Sequence, residues 1–289
     1  MTTPAPAAAA APGLGAGSAV PAAAHHVGFG HLLLSEWTKI RSVRSTVWTL
    51  ILFVVITVGL TAGLSALIVS SWNGPRAAPR DATIIANPVS FILGAGIGLG
   101  QLTICVLGVL VMTSEYSTGV IRASLLAVPR RIPMLAAKAL VFAGLLVVIA
   151  EIVAFGSYFV GSALLHSKAP VTLSGSGVTR SVVGAGLYLT VLGLLALAIG
   201  GLIRHTAGAV TTIIGVVFVL PIITGLLPSE WWWAAHLNAY LPVQAGSLLY
   251  SPKNSAGSLL TPWQGFGVLC IWTAVLLGGA AYILRRRDA

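Results

Sequence analysis

The sequence predicts an all-α integral membrane protein: six transmembrane helices, an N-terminal cytoplasmic amphipathic helix, and a partly re-entrant extracellular segment before the sixth span. Three observations carry this reading. Of the 289 residues 57% are hydrophobic and only 8% charged, with a mean hydropathy of +0.96, which is more apolar surface than a water-soluble core can hide. Apolar runs of the length a spanning helix needs, about 20 residues at ~1.5 Å rise across roughly 30 Å of hydrocarbon, recur six times. Lys and Arg fall in short groups between those runs, with a bias to one side.

The chain opens with MTTPAPAAAAAPGLGAGSAVPAAA, which has four prolines and no basic stretch of the kind that begins a signal peptide. Residues 1–30 are expected to be a disordered Ala/Pro-rich cytoplasmic tail, and 31–289 the six-helix membrane domain.

In LLLSEWTKIRSVRST, Leu32, Leu33, Trp37, Ile40, Val43 and Val47 fall on one arc of a helical wheel and Ser35, Thr38, Lys39 and Ser42 on the other, while Glu36 and Arg44 intrude on the apolar arc. This predicts a helix lying in the membrane interface, marked by Trp37, Lys39, Arg41 and Arg44. The simpler reading is a basic flank that only sets orientation.

The six apolar runs are Val47–Val69, Val89–Thr113, Ala139–Leu165, Val182–Ile203, Thr206–Leu227 and Gln264–Leu284. Hydrocarbon offers no water to satisfy backbone groups, so each is expected to be helical. With the N-terminus inside, eleven of the sixteen Lys and Arg fall on the cytoplasmic side, which places both termini there in a protein expected to be multi-pass in the cell (plasma) membrane. Trp48 and Trp72 bracket the first run as interfacial anchors do. The net charge of +10 is thus explained by topology and attraction to anionic membrane lipid rather than by nucleic acid.

The longest cytoplasmic connection, TSEYSTGVIRASLLAVPRRIPMLAAK, mixes charge with an apolar stretch that ends at Pro129 and Pro133, and predicts a short amphipathic protein-docking helix. Before the sixth run, SEWWWAAHLNAYLPVQAGSLLY is too apolar for a water-exposed loop. A re-entrant hairpin with Pro242 and Gly246 as helix breakers, or an interfacial aromatic belt, both fit it.

GAGIGLG in the second run sets Gly94 over Gly98 and Gly96 over Gly100, two small-xxx-small pairs that let helices approach closely. Inside an apolar run it is no nucleotide-binding glycine motif. Glu151 is the one formal charge in the third run, and Lys138, thirteen residues earlier and so roughly 20 Å away along a helix, is out of its reach. It is either a proton or substrate contact or a hydrogen-bonded packing residue. Cys105 and Cys270 each lie in an apolar run and read as small core residues.

No Lys follows a Gly, so the phosphate-loop pattern is missing, and neither H-E-x-x-H nor G-x-S-x-G occurs. The chain is therefore expected not to be an enzyme, with no catalytic, cofactor or metal site of its own. The six histidines form no ligand-spaced group beyond the tail pair His25 and His26.

SEWTKIRSVRST before the first run, SEYSTGVIRASLLAVPRR after the second and AYLPVQAG before the sixth together resemble the permease subunits of bacterial ABC-2-type exporters. Arg outnumbers Lys twelve to four, in keeping with a GC-rich, actinobacterial kind of source. Glu115, Tyr116, Gly119, Ile121 and Arg122 match that family's E-Y-x-x-G-x-I-R pattern. The resemblance implies that this stretch, with Arg130 and Arg131, couples the chain to a cytoplasmic ABC ATPase subunit that carries the ATP and Mg. It also implies a second permease subunit, like or unlike, and export of drug-, lipid- or peptide-like cargo. The rival class is an ion-coupled secondary transporter using Glu151, against which stands the lack of an internal repeat.

The charge asymmetry generates a labelling test. Single cysteines at Ser42, Ser124 and Ala289 are expected to resist an impermeant maleimide in intact cells, and one at Ser176 to react. Strong labelling at Ser124 overturns the orientation.

Overall fold

The computed structural model describes residues 28–74, 78–119, 131–228, 231–252 and 258–286. These are helical, with no strand among them: α1 (Phe29–Ser42), α2 (Arg44–Ser70), α3 (Ala78–Ala86), α4 (Pro88–Ser117), α5 (Arg131–Leu165), α6 (Val178–Ile203), α7 (Thr206–Gly225), α8 (Trp232–Ala239), α9 (Pro242–Ser247) and α10 (Pro262–Arg286). Six of them, α2, α4, α5, α6, α7 and α10, are long and apolar enough to cross a membrane. The chain is an all-α, multi-pass membrane protein.

The helices overrun the apolar runs because intrahelical hydrogen bonding does not stop where hydrocarbon stops. α4 continues past Thr113 to Ser117, and α5 starts at Arg131 rather than Ala139. Pro133 lies in the first turn of α5, where its missing N–H breaks no ladder, so it is part of a helix start and not of a loop. Residues 1–27 of the expected tail lie outside the described residues, whereas Phe29 and Gly30 already belong to α1.

α6 is the centre. It packs against α4, α5 and α10, and 78% of its most apolar window is buried, against 56% for α4 and 28% or less for the other four spans. α2 shows the inverse of a soluble amphipathic helix: Thr57, Thr61 and Ser65 face the protein while Leu52, Val55 and Leu67 stand exposed. Lipid tails are as apolar as leucine, so nothing drives large apolar groups inward, and small residues at helix contacts gain more by close packing.

Glycines mark those contacts. A Cβ on Gly96 would lie 2.2 Å from the Thr57 carbonyl oxygen, and one on Gly100 would lie 2.0 Å from Thr57 Oγ1, so this pair seats α4 on α2. Gly94 and Gly98, expected as a second packing pair, face open space within the chain. Between α4 and α6 a Cβ on Gly108 would meet the Gly193 oxygen at 2.4 Å. Across the same contact the Tyr188 hydroxyl donates to Gln101 Oε1 at 2.7 Å, a buried pair that satisfies both groups away from water.

α7 carries one π-helical turn, Gly215–Val219, directly ahead of Pro221. The ring of Pro221 clashes with the carbonyl four residues back, and widening the turn relieves it. At the far end of α2 from α1, Asp81 of α3 accepts from the Asn73 backbone N–H at 3.1 Å and from Arg80, holding the turn that joins α2 to α3.

The apolar segment before α10 folds into α8, α9 and a 3-10 turn at Leu248–Tyr250. Pro242 opens α9 instead of ending a helix. Gly246 is no breaker either: it sits inside α9, where a Cβ would come within 2.8 Å of the Tyr188 ring and 2.7 Å of Leu269. α9 is accordingly buried against α6 and α10, while Trp231, Trp232 and Trp233 stay exposed. The Trp272 indole donates to the Tyr240 carbonyl at 3.1 Å and ties α10 to the end of α8.

Gly108→Ala drives a methyl into backbone that cannot yield, and is expected to cost about 1–3 kcal/mol. Gly98→Ala meets nothing and is expected to be neutral or stabilising by up to about 1 kcal/mol. Unfolding of the purified protein in mixed micelles measures both.

Candidate functional site

Three helix ends meet at one place. α1 buries Leu32, Glu36 and Ile40, residues four apart that share one helix face. α1 stops at Ser42 because Val43 is extended (φ −83°, ψ 110°), and α2 begins at Arg44, so Arg44 belongs to the first span and not to the interfacial helix. Trp37 and Arg41 are exposed, and Lys39 is half-buried.

The Glu36 carboxylate that interrupts the apolar arc is 2% exposed and sits at the centre of an ionic cluster. Lys138 of α5 donates to Glu36 Oε2 at 2.5 Å and to Glu115 Oε1 of α4 at 2.8 Å. Lys39 of α1 donates to Glu36 Oε1 at 2.7 Å and to Glu115 Oε1 at 3.1 Å. Two ammonium groups and two carboxylates alternate, so the cluster is neutral. Charges withdrawn from water are tolerable only when paired and hydrogen-bonded in this way. Burial pulls the Lys39 pKa down, but the hydrogen bond with Glu36 and the charges of Glu115 and Glu36 outweigh it, and the group sits above the usual lysine value. Its contribution is therefore present throughout the neutral range and fades only as pH rises beyond the pKa of a free lysine.

This corrects the expected placement of Glu115 as an exposed docking charge. It lies in the last turn of α4, 7% exposed, and its partners are within the chain. Its second oxygen, Oε2, is buried with no hydrogen-bond partner among the described residues. The next residues of the E-Y-x-x-G pattern also serve the helix end. Tyr116 lies under the Arg204 guanidinium, 5.2 Å from ring centroid to carbon. Gly119 takes φ +70° and donates to the Tyr116 carbonyl, the left-handed residue that closes a helix. Arg204 itself ends α6 in the left-handed region at φ 58°, a conformation that costs a non-glycine residue about 1 kcal/mol or more. A hydrogen bond from Thr206 Oγ1 to Thr113 Oγ1 at 3.0 Å pins the start of α7 beside it.

Ile121, Arg122 and Arg130 lie outside the described residues, as does the side chain of Arg131, the residue that opens α5. The expected docking helix between them falls there as well. Glu151 lies mid-way along α5 against α6: a Cβ on Gly186 would stand 2.4 Å from its carboxyl carbon. Its Oε2 is buried and has no hydrogen-bond partner among the described residues. Among the described residues no three His, Cys, Asp or Glu come together to hold a metal ion.

Sequence reasoning missed the pairing of Glu36 and Lys138, 102 positions apart. Two local signals pointed to it: an acid on an apolar arc, and a lysine enclosed by apolar residues in MLAAKALVF.

Lys138→Met leaves two buried carboxylates with one ammonium, and is expected to cost about 3–5 kcal/mol in thermal unfolding of the purified protein. Glu36→Gln added to Lys138→Met restores neutrality, and is expected to recover a substantial part of that loss, as a positive coupling in the double-mutant cycle. No family model matches the chain, and no curated protein matches it.

Proposed function

We propose that the chain is the membrane-spanning permease subunit of an ATP-driven exporter of the ABC-2 type, working with a separate cytoplasmic ATPase and a second permease subunit in the plasma membrane, with both termini cytoplasmic. The observation that carries the reading is the ionic cluster that joins α1 to the ends of α4 and α5, the two helices that flank the 120–130 stretch. A force applied to that stretch by a closing ATPase reaches α4 and α5 directly. Through Glu36 and Lys39 it also reaches α1, which lies across their ends, so three elements move together. Coupling through a packed, hydrogen-bonded joint of this kind suits small rotations of whole helices better than local deformation.

Support for partners comes from the exposed faces of α2, α7 and α10, whose windows are 22%, 17% and 22% buried. A second subunit packed on such a face would complete a path between the two. Drug-, lipid- and peptide-like cargo all suit such a path.

The second reading, an ion-coupled transporter, is favoured by one observation: the unpartnered Oε2 of Glu151 beside Gly186. An intramembrane acid without a hydrogen bond is what a carrier of protons or cations presents.

One experiment separates the two readings. Arg122→Glu and Arg130→Glu are expected to keep membrane yield and to lower ATPase co-purification and transport per ATP hydrolysed. The lost docking contacts are each worth about 2–5 kcal/mol if the partner charge is left desolvated. Glu115→Arg, in contrast, sets a third cation against Lys39 and Lys138 and is expected to lower the yield itself. If the two arginine variants co-purify and transport like the parent, the coupling assignment falls. Transport that persists without any ATPase and is lost in Glu151→Gln establishes the second reading instead.

A further inference from the structure

A cavity of about 400 Å³ opens beside the ionic cluster, between the α1–α2 elbow and α4, with Lys39, Ser45, Thr46, Thr49, Ser114 and Glu115 in its wall. A second, of about 720 Å³, continues along the outer side of the α2–α4 contact, lined by Leu52, Val55, Ile56 and Gly59 of α2 and by Leu99 and Leu102 of α4. Thr49 lines both, so the two form one groove with a polar head and an apolar length. From Thr46 to Leu60 it runs about 21 Å at ~1.5 Å per residue, more than one leaflet's half of a hydrocarbon layer roughly 30 Å thick.

The head of the groove holds one available ammonium donor at the edge of the neutral cluster. Lys39 spends two of its three N–H groups on Glu36 and Glu115, and its side chain is 34% exposed. The third N–H has no partner among the described residues. Ser45 and Ser114 likewise make no side-chain hydrogen bond among the described residues. Because the cluster of Glu36, Lys39, Glu115 and Lys138 is neutral, the exposed Arg41 and Arg44 on either side of the elbow have no balancing carboxylate among the described residues.

The geometry points to a binding site for one anionic phospholipid, whose phosphate sits at Lys39 with the free serine hydroxyls and whose acyl chain lies along the α2–α4 groove past Gly59. Charge complementarity at the head, and an apolar channel continuous with it, select an amphiphile. A protein helix would match the apolar part and leave Lys39 and the two serines unanswered. Gly59 leaves the groove open: nothing lies within 4 Å of where its Cβ would be. The lipid would brace the elbow at Val43, filling the gap that α1 leaves as it turns away from α2. This inference does not depend on the transport reading, and its test does not involve ATPase or cargo.

The full-length protein is reconstituted in equal mixtures of phosphatidylglycerol and phosphatidylcholine, one of the two carrying a photoactivatable diazirine in its acyl chain, and labelled peptides are mapped by mass spectrometry. The expected result is preferential labelling of 49–60 and 99–106 by phosphatidylglycerol. Lys39→Gln is expected to reduce that labelling about fivefold, the effect of one basic contact to an anionic headgroup. Gly59→Phe, which fills the groove without touching packed backbone, is expected to reduce it about tenfold, as excluding two methylenes would. Gly63→Phe, one turn along and outside the groove, is the control: a Cβ there also meets nothing, and labelling should stay at the parent level. Equal labelling by phosphatidylcholine, or labelling unchanged in both Lys39→Gln and Gly59→Phe, overturns the site. So does Gly59→Phe dissociating a dimer in crosslinking, because a second copy is then the occupant.

Discussion

Three charges withdrawn from water, Glu36, Glu115 and Lys138, together with the half-buried Lys39, constrain the end of the molecule on which α1 lies. α1 pairs Glu36 with its own Lys39, but neither Glu115 of α4 nor Lys138 of α5 has a partner on its own helix, and an unpaired ammonium or carboxylate in a low-dielectric setting costs several kcal/mol even after relaxation. The helices must arrive together, at the right height and rotation. α4 carries Glu115 just past its apolar stretch, α5 carries Lys138 just before its own, and α1 has to lie with its 32–36–40 face inward. The relative height of the two spans and the attitude of the interfacial helix thus answer to one electrostatic requirement.

The spans themselves obey a different rule. In hydrocarbon the backbone decides that they are helices and close packing decides which faces meet, while apolar character decides almost nothing about facing. That is why α2 turns Thr57 and Thr61 toward α4 and shows Leu52, Val55 and Leu67 outward. It is also why composition made the six spans legible in the sequence while the choice between glycine pairs was not. Gly94 with Gly98 and Gly96 with Gly100 have identical spacing, and only the position of Thr57 on a neighbouring helix distinguishes them.

The same limit explains what was misread in the site. A helical wheel treats Glu36 as an error in an amphipathic pattern because Lys138, the ammonium partner that buries it, lies 102 residues away by chain position, on another helix. A charge tally treats Lys138 as a topology marker because it counts positives without asking which are buried. Arg44 was assigned to the wrong helix because wheel periodicity runs smoothly through Val43, whereas the extended backbone there does not. For Glu36 and Lys138 the local pattern was real and the missing information was a partner on another helix; for Arg44 it was the backbone conformation of Val43.

The E-Y-x-x-G stretch gains a physical meaning from this. Glu115 closes an ionic joint, Tyr116 takes the guanidinium that ends α6, and Gly119 terminates α4 in a left-handed turn. All three are accounted for by helix-end architecture, so their presence requires no external partner. What remains of the pattern is Ile121 and Arg122, and any docking argument rests on those residues and on Arg130. The division has a mechanical consequence. If the first part of the pattern fixes α4 to α1, α5 and α6 and the second part meets a partner, the junction at Gly119 is where force would pass from partner to membrane helices. A glycine there terminates the helix without strain, because φ +70° is as accessible to it as any negative value. The flexibility that ends the helix and the ionic joint that stiffens it then lie four residues apart.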